Sequence, residues 1–133
     1  SRAFALAVLG TTFLAACGYE YHGPQGRLNF APRWSPERFR AAFTAAEGWG
    51  TFEQRREGKT QTHTVALRYG NLRLRSLGFE VAGTATVQAQ ARLNGGSVAI
   101  STRQSGSKVT LELRENLTLK AGDVLDLTLS SLN

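Results

Sequence analysis

What the 133 residues lack narrows the field first. A single cysteine, Cys17, excludes an internal disulfide and a cysteine-built zinc site. Histidine occurs only twice, at His22 and His63, far apart in the chain, so no metal-ligating cluster forms in the sequence. Each is expected in a loop or on a strand surface, and neither a metal nor a cofactor is expected. Methionine is missing altogether and the chain opens Ser1-Arg2, which predicts a fragment or a processed product. Acidic residues are outnumbered, 10 against 16 Lys and Arg, for a net charge of +6. A nucleic-acid footprint needs such cations gathered on one face or interleaved with stacking aromatics. Here Arg73 and Arg75 alternate with Leu72 and Leu74, the pattern of a strand's solvated face. Nucleic acid is therefore not an expected partner.

What is present suffices for one core with an appendage. Ala3 to Ala16 is apolar almost all round, with Phe4, Leu6, Val8, Leu9, Phe13 and Leu14, and predicts a helix that must be buried. It is shorter than the roughly 20 residues that cross a bilayer. It also has the size of a signal-peptide core, and Leu14-Ala15-Ala16-Cys17 fits the pattern at which bacterial lipoproteins are cleaved and acylated. A tether after an acylated cysteine should be rich in Ser or Gly, whereas Tyr19, Tyr21, Phe30 and Trp34 crowd this one and Pro24 and Pro32 stiffen it. Both readings stand at this point, a buried terminal helix and a lipid anchor.

Gly18 to Arg33 reads as a structured connection. Ser35 as N-cap, Pro36 at the first helical position and Glu37 in the first turn then predict a short helix over 36–44, with Phe39 and Phe43 on one face. Glu47-Gly48-Trp49-Gly50 brackets an indole between two glycines, a place for a sharp backbone change. From Trp49 onward the period is two. Val65, Leu67 and Tyr69 face one way, as do Val87, Ala89, Ala91 and Leu93, then Val109, Leu111 and Leu113, then Leu125, Leu127 and Leu129. Gly70-Asn71, Asn94-Gly95-Gly96, Ser105-Gly106-Ser107 and Lys120 to Asp123 read as turns. The expected fold is mainly β: an antiparallel β-sandwich preceded by an apolar helix and a short second helix. The divisions are 1–16 terminal helix, 17–47 linker with the helix over 36–44, and 48–133 sandwich. Small core side chains predict a thin core that leans on another domain.

The run CGYEYHGPQGRLNFAPRWSPERFRAAFTAAEGWGTFEQ, Cys17 to Gln54, resembles the C-terminal region of bacterial proteins related to glycoside hydrolase family 116, the non-lysosomal glucosylceramidase and β-glucosidase family. Asn29 departs from that pattern, where a glycine is expected before Phe30. The resemblance implies that 1–16 is the last helix of an (α/α)6 barrel in the same chain, which serves as the partner of the sandwich. It also implies retaining hydrolysis of β-glucosides or glucosylceramide-like substrates by two carboxylates about 5 Å apart. Both belong to barrel segments upstream of Ser1, so this stretch is expected to be non-catalytic.

Four residues are candidate carbohydrate contacts. Arg2 either corresponds to a sugar-contacting arginine that the resemblance implies near the start of the barrel's last helix, where its donor fork suits two hydroxyl groups, or is a charge at the helix end. Glu20 and His22 sit beside Tyr19 and Tyr21 in a loop, where they either hold a sugar hydroxyl or pack an interface. Trp49 either stacks on a sugar ring or anchors the turn from inside. The alternative function is a small outer-membrane lipoprotein, anchored through Cys17, with a glycan- or protein-binding sandwich. Only that alternative involves a membrane; otherwise the protein is cytoplasmic or exported.

Overall fold

The computed structural model describes residues 20–22, 26–30, 37–45 and 47–132, with the backbone alone for 20–22 and 30. The helix expected over 1–16 and the lipoprotein pattern ending at Cys17 lie outside them. Ten strands make up the described residues: β1 (Glu20–His22), β2 (Arg27–Phe30), β3 (Arg38–Ala45), β4 (Gly48–Glu57), β5 (Thr60–Glu80), β6 (Val87–Leu93), β7 (Gly96–Val98), β8 (Ile100–Ser105), β9 (Lys108–Lys120) and β10 (Val124–Ser131).

β5 is the axis. Its 21 residues would reach about 70 Å if straight, far more than one small domain spans, so the strand folds over on itself. The first half pairs antiparallel with β4 and β10, and the second half with β9. β3 extends the first layer on one side, β6 and β7 on the other, giving the order β3-β4-β5-β10-β6-β7. The second layer runs β1-β2-β5-β9-β8. The layers lie face to face, since His63 in the first half of β5 stacks on Phe79 in the second with ring centroids 3.9 Å apart. Phe52 of β4 joins the same stack, 6.4 Å from Phe79. The result is a β-sandwich in which one strand belongs to both sheets. Among the described residues its pairings are antiparallel except one, β2 beside β5, which is parallel.

Several expectations are corrected. The segment expected as a helix over 36–44 is a strand from Arg38 onward, β3. Phe39 and Phe43 are four apart, a spacing met by one helical turn or by two strand repeats. Ala41 decides between them, because it is buried on the same side while Arg38, Arg40 and Ala42 are exposed. β4 offers a ladder from Arg38 opposite Arg55 to Ala45 opposite Gly48, which satisfies every backbone pair that a short helix would leave open at its ends. Gly70-Asn71 is not a turn but the crease in β5. Nor is the core built mainly of small side chains: Phe39, Phe43, Phe52 and Phe79 are buried among leucines of β2, β5, β9 and β10. The turns at Asn94-Gly95, Gly106 and Ala121-Gly122 lie where the sequence puts them.

Two irregularities set the phase of β5. The register with β4 slips between Trp49 and Gly50, leaving Arg68 with no opposite residue, and the ladder with β9 breaks between Leu74 and Ser76, where Arg75 alone stands against residues 113–116 of β9. The N–H groups of Arg75 and Ser76 both donate to the Gly26 carbonyl, at 2.7 and 3.2 Å, as a bulge requires. Each bulge inverts the in-out alternation. The buried series passes from Val65 and Leu67 to Leu72 and Leu74, then to Leu77 and Phe79.

The crease itself rests on Gly70, at φ +76°, whose missing Cβ leaves room for the Glu47 carbonyl. Replacing Gly70 by Ala is expected to destabilise the fold by ~2 kcal/mol or more, because a left-handed backbone and a backbone collision add. Gly58→Ala, also at positive φ but in open space, is expected to lose only ~1 kcal/mol. Urea denaturation of the two variants beside the wild type checks the difference.

Candidate functional site

Two places in the sandwich expose chemistry, at opposite ends of the first half of β5. The first is the crease. Gly50, Phe52 and Gln54 of β4 face the core, so Trp49 and Thr51 face outward. Tyr69 lies directly opposite Trp49 and shares that face, Trp49 being 46% and Tyr69 68% exposed. Tyr69 was expected inward with Val65 and Leu67; the bulge at Arg68 turns it out. The glycines around Trp49 are required by close backbone approach. A Cβ on Gly48 would strike the Tyr69 carbonyl, and one on Gly50 the Ala66 carbonyl. Two large rings are thus held outward on backbone that has no room to relax.

The face continues away from the rings in register. Next to Trp49 and Tyr69 comes a shelf of small side chains, Ala42, Thr51 and Ala66. Beyond it lies a polar row of Arg40, Glu53, Thr64, Asp126 and Arg92, one from each neighbouring strand. Thr64 Oγ1 donates to Asp126 Oδ1 at 3.0 Å. Glu53 is four residues from Trp49, about 13 Å along the strand. Such a surface stacks a flat apolar face at one end and offers donors and acceptors at the other.

The second place is the open end of the sandwich, where inward positions of β4 and β5 carry polar groups: Gln54, Arg56, Gln61 and His63. Gln61 is the knot. Its Oε1 accepts from Arg56 Nε at 2.7 Å, and its Nε2 donates to the Glu80 carbonyl at 2.9 Å and to His63 Nε2 at 3.0 Å. That last bond makes His63 Nε2 the acceptor and puts the ring proton on Nδ1, which has no hydrogen-bond partner. His63 was expected in a loop or on a strand surface, yet it is 1% exposed, stacked on Phe79 and next to Phe52. Burial, and after it the Arg56 guanidinium, push its pKa from 6.5 down to about 3.

Of the residues singled out in the sequence, Trp49 stands on the outer face of the first layer. Glu20 and His22 fall on β1, at the edge of the second layer, opposite Asn29 and Arg27 of β2. Arg2 and Cys17 lie outside the described residues. Trp49 and β1 therefore belong to different layers. Sequence reading missed Tyr69 as an exposed ring and the inward Gln61–His63 pair. The alternation Gln61-Thr62-His63 running into Val65 and Leu67 carried the second signal, since it puts a glutamine and a histidine in phase with core residues.

The sequence matches no family profile and none of the curated proteins. Among solved structures it is similar to an alpha-L-rhamnosidase from Dictyoglumus thermophilum, at 6% identity and a TM-score of 0.46, over 87% of this chain and 12% of that one. The likeness is too loose to carry a substrate or a role over to this chain.

A pH prediction follows from His63. Between about pH 6.5 and pH 3 the unfolded chain binds a proton that the folded protein refuses. Stability should therefore fall as the pH drops through this window, by up to about 1.4 kcal/mol per pH unit. His63→Phe is expected to keep the stack on Phe79, hold stability near neutral pH within ~1 kcal/mol and remove most of the acid-side slope. Denaturation midpoints at about pH 7 and about pH 4.5 test it.

Proposed function

We propose that this chain is a non-catalytic accessory β-sandwich of a glycoside hydrolase acting on β-glucosides or glucosylceramide-like substrates, and that it contacts carbohydrate through Trp49 and Tyr69. The observation that carries the reading is the outward pair of rings on glycine-fixed backbone. Exposed aromatic side chains of this size are sparse on the described surface, where Leu132 is the other large hydrophobic exposed to solvent. A pyranose presents a flat face of C–H groups to a ring and hydroxyl groups at its rim, which the shelf and polar row beside the pair can accept and donate to.

The resemblance of Cys17 to Gln54 to family 116 supports the parent enzyme and the substrate class. In this proposal 1–16 ends the catalytic barrel and 17–47 connects it to the sandwich. The sandwich body then takes in β1, β2 and β3 as well as 48–133. Arg2 belongs to the barrel side of that arrangement, Glu20 and His22 to β1 at the edge of the second layer, and catalysis to residues of the barrel.

Titration with a β-linked glucose trisaccharide, followed by tryptophan fluorescence and by amide shifts of Thr51 and Tyr69, tests the proposal. Trp49→Ala and Tyr69→Ala are each expected to weaken binding about tenfold, with far-ultraviolet circular dichroism unchanged because both rings are exposed. Binding equal to wild type in both variants, or no shift at Thr51 and Tyr69 on saturation with the sugar, would falsify it.

A further inference from the structure

We propose that the open end of the sandwich, remote from the aromatic crease, is a binding site for a small monocarboxylate with a compact apolar body. A cleft of about 200 Å³ opens there. Its apolar wall is Val81, Val87 and Leu129, and its polar rim is Arg56, Lys59 and Gln61. A cavity of ~150 Å³ accommodates benzene, so one aromatic ring or a short acyl chain fits this one.

The charge of the lining selects the ligand. Among the described residues two cations border the cleft and no carboxylate does. Neither Arg56 nor Lys59 forms an ion pair with a described residue. Arg56 occupies the last inward position of β4, so its charge stands over the end of the core.

The geometry of Arg56 adds the second argument. A guanidinium has five N–H groups. Two are spent inside the protein, Nε on Gln61 Oε1 at 2.7 Å and one on Nη2 with the Glu80 carbonyl at 3.0 Å. The three left are on Nη1 and Nη2, the pair of nitrogens whose fork matches the two oxygens of a carboxylate. Gln61 has in turn no freedom to release Arg56, since both its amide hydrogens are taken by Glu80 and His63. The fork is set before any ligand arrives, which lowers the ordering entropy of binding.

The far wall is fixed as well. Gln104 of β8 reaches across to the 81–87 segment, donating to the Ala85 carbonyl at 2.8 Å and accepting from the Val87 N–H at 3.1 Å. The buried Gln61–His63 pair thus serves as a strut for Arg56, and Gln104 as a clamp on the apolar wall.

The test uses benzoate as the probe and benzyl alcohol as its neutral counterpart, by calorimetry and by two-dimensional amide spectra. Benzoate is expected to shift the Gln61 side-chain amide, the Arg56 Nε–H and the Val87 amide, and to bind about tenfold more tightly than benzyl alcohol. Arg56→Gln is expected to abolish that preference. Because Arg56 also fastens Gln61 and the Glu80 carbonyl, Lys59→Glu serves as the second variant, in an exposed turn where the fold is unaffected, and it should weaken benzoate several-fold while leaving benzyl alcohol alone. The proposal is overturned if benzoate up to ~10 mM shifts none of the three signals, if the alcohol binds as well as the acid, or if Lys59→Glu leaves benzoate affinity unchanged.

Discussion

Arg68 and Arg75, where the ladders of β5 break, set the phase on which the whole sandwich depends. A strand has two faces and a period of two, so a chain that must line a core for 21 residues while crossing between sheets cannot keep one parity throughout. Each bulge shifts the parity once. Without the shift at Arg68, the leucines at 72 and 74 would point to solvent; without that at Arg75, so would Leu77 and Phe79. The hydrogen bonds from Arg75 and Ser76 to one carbonyl, that of Gly26, show how the break is accommodated without orphaned donors. Arginine suits both positions, since its side chain is thrown outward where its charge stays in water.

The same device separates two kinds of surface. At the crease the bulge throws Tyr69 outward beside Trp49, and the glycines permit backbones to touch where side chains would collide. At the other end of β5 the pleat brings glutamine and histidine inward. These groups tolerate burial because Gln61 uses its oxygen and both amide hydrogens at once, tying β4, β5 and the Glu80 carbonyl together. The uncharged state of His63 is the natural partner of this arrangement, since a charged imidazole buried against Phe79 and next to a guanidinium would have neither solvent nor counter-ion. Rigidity at both ends thus comes from opposite means, absence of side chains at one and saturation of hydrogen bonds at the other.

The alternating runs at Val87 to Leu93, Val109 to Leu113 and Leu125 to Leu129 were legible because each is a stretch of strand with one wet face, whose pattern is local. The glycine turns between them were legible for the same reason. β3 was not. Its Ser35-Pro36-Glu37 opening imitates a helix start, and the two phenylalanines four apart fit either period, so only the partner strand could resolve it. Of the candidate surface, Trp49 was visible through its flanking glycines, while Tyr69 was hidden, because the change of parity from Val65 and Leu67 to Leu72 and Leu74 does not say at which residue between them the bulge falls.

The sequence by itself determined that this chain forms a mainly β body with one core, where most of its hairpins turn, and that an indole sits at a glycine-framed break. Those are matters of local period and backbone freedom, which neighbouring residues fix between them. Tertiary structure decided which face each side chain takes along β5, that Arg38 to Ala45 is a strand, and that His63 is buried and neutral beneath Arg56. These depend on the register between strands, and register is a property of the pair of strands, not of either one alone.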